Sequence, residues 1–189
     1  RDRIYVSESI LEPGTHPATV DARAVRLVNG AKLATGGITV ATDNPLYIQG
    51  DYNTVAKKPA AVLCDAFNVL SNSWDDEETQ FSKRKATNTA ANVSIATGIV
   101  KTEEGHYSGG LENLPRFLEN WSGKTFTWRG SIIVLGESRQ ATGVWRYGSP
   151  YYTAPKRDWG FDEDLVEAVN LPPGTPKVRN IARTLWQEE

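Results

Sequence analysis

Three aspartates stand where a chain of strands and turns can bring carboxylates together: Asp43 in ATDNP, Asp51 in QGDYN and Asp65 in LCDAF. Paired carboxylates at strand ends are the equipment of glycan hydrolases and lyases, which need an acid and a base or nucleophile on either side of a glycosidic bond. Corners use the same residues for another purpose, because Asp and Asn bond nearby backbone amides and tolerate left-handed backbone. Each of the three has a corner neighbourhood, so the structural use carries more weight and no catalytic residue is assigned. Asn44, Asn53, Asn68 and Asn72 follow suit, since stacked corners can align amide side chains into hydrogen-bonded ladders.

The run Asp75, Asp76, Glu77, Glu78 concentrates oxygen ligands. Calcium is the cation such a site suits, although the spacing is not that of the helix–loop–helix calcium site. Asp75 and Asp76 are its first candidates, and a solvated acidic loop is the competing reading. A second cluster, Trp145, Tyr147, Tyr151, Tyr152 and Trp159 with Arg146, Lys156 and Arg157, has the composition that stacks sugars or grips a partner chain. The same rings would serve equally to anchor a Pro-rich arm on the body.

Other chemistries lack their residues. Cys64 is the single cysteine, so no internal disulfide forms, and neither His16 nor His106 lies near it in sequence in a nucleophile or zinc pattern. The Gly-Gly pairs at 36 and 109 lack the strand–loop–helix setting of a phosphate loop, and no G-x-S-x-G elbow occurs. With 21 basic and 23 acidic residues scattered along 189, net charge -2, there is no nucleic-acid footprint. No apolar run is long enough to span a membrane. The chain opens at Arg1 and contains no Met, which suggests that an initiating residue and an anchoring segment have been removed.

The elements that must position these residues are strands. Apolar runs at 24–28, 37–42, 45–50, 60–66, 67–71 and 92–98 are each broken by Gly, Asn or Asp, and most alternate. Val25 and Leu27, Ile38 and Val40, Leu46 and Ile48, Val62 and Cys64, Phe67 and Val69, Val93 and Ile95 each form one apolar stripe. Aligning 36–53 with 59–74 sets Ile38 against Val62 and Ile48 against Val69, a weak repeat of 24 and 21 residues that predicts stacked parallel rungs. The expected fold is mainly β, a parallel β-solenoid with one or two short helices; an antiparallel β-sandwich is the alternative.

One domain spans 1–189: an extension over 1–23, a strand-rich body over 24–142 and a wrapping arm over 143–189. The polar stretch 74–88 reads as an exposed excursion. Leu111, Leu114, Leu118 and Trp121 recur at helical spacing, which predicts a helix over 111–121. The apolar length of 125–138 predicts a central strand. Residues 162–170, with acids at the start and LPPGTP after, predict a second short helix. Residues 178–189 fit helix or strand.

Finally, NPLYIQGDYN (44–53), PAAVLCDAFNVLSNSW (59–74), YSGGLENLPRFLENWSGKTFTWRGSIIVL (107–135), WGFD and LPPGTP resemble a bacterial surface-protein family. Its members look like carboxy-terminal domains attached to stems similar to those of minor pilins of type IV pilus assembly. The resemblance covers most of 36–176, leaves 1–23 outside, and supplies no functional residues. It implies an extracellular or cell-surface structural module, pilus- or filament-associated, and the lack of catalytic motifs makes a non-enzymatic role the expectation. A solenoid exposes strand edges at its ends, so the expected partners are further copies or filament neighbours, with a surface glycan as a further one. A glycan hydrolase or lyase and a calcium-dependent carbohydrate-binding module are the alternatives.

Overall fold

In the computed structural model the described residues are 5–8, 23–105, 107–108, 110, 114–143 and 146–176. They form a mainly β protein with three parallel sheets, almost no helix and no closed barrel. The strands are β1 (Tyr5–Glu8), β2 (Val25–Val28), β3 (Ile38–Ala41), β4 (Leu46–Gln49), β5 (Ala60–Cys64) and β6 (Phe67–Leu70). After them come β7 (Thr89–Asn92), β8 (Ser94–Ile99), β9 (Pro115–Phe117), β10 (Thr125–Gly130), β11 (Ile132–Glu137) and β12 (Lys156–Phe161). The first sheet runs β1-β2-β4-β6-β9, the second β3-β5-β8-β11 and the third β7-β10-β12.

From β5 to β11 the chain visits second, first and third sheet in that order at each pass. Every pairing between strands is parallel except β1 with β2, so the antiparallel sandwich is not what forms. Inward columns follow the register. Leu27, Ile48, Val69 and Phe117 stack in the first sheet, and Val40, Val62, Ile95 and Ile132 in the second. Both columns face one core. Ile48 pairs with Val69, as the 21-residue repeat predicts. Val62 pairs with Val40 rather than Ile38, a shift of two residues that leaves the same side chains facing inward.

Corners are held by side-chain amides. Asn53 has φ 57° and is buried; its amide donates to the Lys58 and Asn92 carbonyls at 2.7 and 2.8 Å, while Asn92 donates back to the Asn53 carbonyl at 3.0 Å. Asn72 bridges to Asp51 and to the Asn88 carbonyl, and Asn68 donates to the Leu46 carbonyl. These bonds answer backbone groups that a corner would otherwise leave unpaired.

Three expectations are corrected. Residues 111–113 lie outside the described residues, and 114–121 are not helical: Pro115–Phe117 is β9, paired with β6. Sheet pairing overrides the helical spacing, because it buries Pro115 and Phe117 as alternate residues on the core side. Residues 162–170 make two 3-10 turns, Glu163–Val166, capped by the Asp162 side chain, and Ala168–Asn170. Nothing on them is buried, so no apolar face is there to sustain an α-helix. Within 125–138, β10 is central but β11 is an edge strand. The segment 178–189 lies outside the described residues. No helix among the described residues is long and apolar enough to cross a membrane.

Candidate functional site

Asp65 and Asp51 are engaged with backbone rather than with each other. Asp65 accepts from three consecutive amides, those of Arg139, Gln140 and Ala141, and so pins the turn after β11 onto the corner between β5 and β6. The Asp65 carbonyl takes the Ser138 hydroxyl at 2.8 Å. Asp51 accepts from the Ala90 amide at 2.9 Å and from the Asn72 side chain at 3.0 Å. Asp43 is exposed at its turn. A carboxylate whose lone pairs are taken by N–H groups of its own fold has few acceptor sites left to offer a substrate.

The acidic run is likewise engaged. Asp76 accepts from the Arg26 guanidinium at 2.6 Å and from the Trp74 indole at 2.8 Å. The Arg26 bond holds its carboxyl below the usual carboxylate range. Asp75 accepts the Glu77 amide and Glu78 the Gln80 amide, both local turn bonds. Among the described residues no group of three or more His, Cys, Asp or Glu side chains is placed to hold a metal ion. Asp76 thus works as the tether that brings the 74–88 excursion back onto β2.

Two buried polar groups complete the inventory. Burial pushes the Cys64 thiol up to about 11, so it is the thiol rather than the reactive thiolate that sits in the core near neutral pH. Glu119 is buried, with both carboxylate oxygens taken by the Ser71 amide and hydroxyl at 2.7 Å; burial raises its pKa. It replaces a ladder partner for the β6 end and is structural.

The aromatic cluster divides. Trp145 lies outside the described residues. Tyr152 is buried against Phe117, with ring centroids 6.2 Å apart. Trp159, half-buried, stands edge-on to Phe126 and Trp128, each at 6.3 Å, so Tyr152 belongs to the core and Trp159 packs against it. Tyr147 and Tyr151 are exposed: Tyr147 meets Tyr152 edge-on at 5.3 Å, and Arg146 lies over the Tyr151 ring at 5.2 Å. Of the residues predicted to contact a partner, these two offer ring surface to solvent.

The feature that sequence reasoning missed is the edge of the second sheet. β11 pairs with β8 on one side and with no described strand on the other. Ile133, Val134 and Leu135 are 56%, 42% and 63% exposed, side by side on one strand. Phe161, on the terminal strand of the third sheet, is exposed too. Natural sheets blunt edges with Lys, Pro, charge or a bulge. Here the shift between Val134 and Gly136 is the only such device before Glu137, and it leaves Ile132–Val134 in straight register.

At the opposite end of the first sheet β1 lies antiparallel on β2, and Leu33 is buried in the core. Comparison of the chain with protein-family models, with curated proteins and with solved structures finds no match.

Proposed function

We propose that this chain is a non-enzymatic structural module of a bacterial cell surface, a parallel β-solenoid that works by presenting to a neighbour a strand edge, that of β11, which no described strand covers. The observation that carries the reading is the apolar edge Ile133–Leu135, a surface that a freely soluble catalyst has no reason to keep. Successive passes through three parallel sheets support the solenoid, with the excursion at 74–88 as a departure from regular coils. Corner carboxylates bonded to backbone support a structural rather than hydrolytic use of Asp51 and Asp65. Surface placement, and association with a pilus or filament, rest on the family resemblance in the sequence. Tyr147 and Tyr151 add an adhesive reading, since exposed rings beside Arg146 suit a glycan face.

Immunogold electron microscopy on intact cells of the source organism, with antibodies against the folded chain, tests this. Label on the outer surface or on filaments is the expected result. Label that appears only after the cells are permeabilised would overturn it.

A further inference from the structure

Which neighbour the open end receives follows from the backbone of β11. In a strand, successive residues turn their N–H and C=O to opposite edges. The Ser131 carbonyl accepts from the Ile95 amide at 2.7 Å, so Ser131 and Ile133 face β8. Ile132 and Val134 therefore direct their N–H and C=O outward, where no described strand takes them up. An edge with two outward-facing residues one apart is the unit that antiparallel pairing uses, because directly opposed residues exchange both of their bonds.

We infer that the open end binds a second copy of this chain, with β11 pairing antiparallel to β11 of that copy about Ile133. This rests on the reading of the module as one that works through the edge of β11. Antiparallel pairing about Ile133 sets Ile132 of each copy opposite Val134 of the other. Each of those two pairs exchanges two bonds, so the four outward groups of one copy meet the four of its mate. The two Ile133 side chains, exposed in one chain, become cross-strand neighbours.

Sequence and ends favour this occupant. Ile132-Ile133-Val134 is β-branched at all three positions and reads nearly the same in either direction, so self-pairing opposes β-branched residues throughout. The straight register ends at the bulge, which limits the contact to this triplet, and the two Glu137 carboxylates fall at opposite ends of the paired strands. Head-to-tail stacking would need a matching apolar edge at the other end. There β1 and β3 are the edge strands of their sheets among the described residues, and no residue of β3 is a large exposed hydrophobic. An apolar edge on β11 without a counterpart on β3 favours a two-fold, self-terminating pair over an endless array.

Sedimentation velocity on the purified chain up to about 100 µM reads this directly. The expected result is a concentration-dependent species of about twice the 20.8 kDa of one chain. Val134→Pro removes only an outward N–H and so spares the bonds to β8; Ile133→Lys sets two charges face to face in the pair while staying exposed in one chain. Both variants should be monomeric with thermal unfolding close to that of the parent. A parent that stays monomeric over the whole range, or a dimer that both folded variants retain, overturns the inference. Masses climbing past the dimer would also overturn it in favour of head-to-tail growth, while leaving the module's role as an assembly subunit intact.

Discussion

Phe126→Ala should lower the stability of the folded chain by about 3–5 kcal/mol, seen as a fall in the urea midpoint at unchanged slope. Phe126 is fully buried at the centre of a set of edge-on rings, with Phe117 at 5.8 Å, Trp121 at 6.2 Å and Trp159 at 6.3 Å. It sits on β10, which is hydrogen-bonded on both sides, to β7 and to β12. Ladder spacing fixes the separation of those three strands, so the backbone cannot close over the space a ring leaves. Truncation should therefore incur both the lost burial and most of the cavity term. Tyr151→Ala, on the exposed turn, should stay within about 0.5 kcal/mol of the parent. A loss under about 1 kcal/mol for Phe126→Ala would mean that the ring cluster is not the packed centre described above.

Gly37→Ala should be a strongly damaging single-methyl change, at roughly 2–5 kcal/mol by thermal or urea unfolding, the sum of two effects. Gly37 has φ 76°, which a Cβ makes unfavourable, and a Cβ built there would lie 2.1 Å from the Pro59 carbonyl oxygen. That same carbonyl accepts the Ile38 amide at 3.0 Å and begins the β3–β5 pairing. Relieving the overlap would pull the two strands apart at their first bond. The neighbouring Gly36 has open space around its Cβ position, so Gly36→Ala is the control and should change little. Equal effects at the two glycines would show that close approach of the rungs is not what requires Gly37.

Much of this architecture was legible because the core is built from stripes. Val62 and Cys64, Phe67 and Val69, Leu46 and Ile48 are such stripes, and all six residues are buried. Ile48 and Val69 also gave the correct register from their spacing alone. What escaped has physical causes. β7 is Thr-Ala-Ala-Asn and β12 is Lys-Arg-Asp-Trp-Gly-Phe, strands that exist because a neighbouring rung offers a ladder, with little apolar pattern of their own. β9 was hidden because Leu114, Leu118 and Trp121 fall at helical spacing by coincidence, and only pairing with β6 distinguishes the two readings.

The candidate site was the least legible part. Composition marks Asp65 and Asp76 as potential chemistry, yet their partners, the 139–141 amides and Arg26, lie about 75 and 50 residues away in sequence. An apolar strand reads as buried whatever its position, so Ile133–Leu135 looked central; whether a strand is last in its sheet is a property of the topology.

Amide hydrogen exchange over 131–135 as a function of protein concentration reads out whether the free edge of β11 takes up a second copy. At high dilution the Ile133 amide, which faces β8, should be protected, while the outward amides of Ile132 and Val134 exchange quickly. As concentration rises those two should become protected as well. Fast exchange of Ile132 and Val134 at every concentration would mean that this edge is not a surface through which the chain assembles.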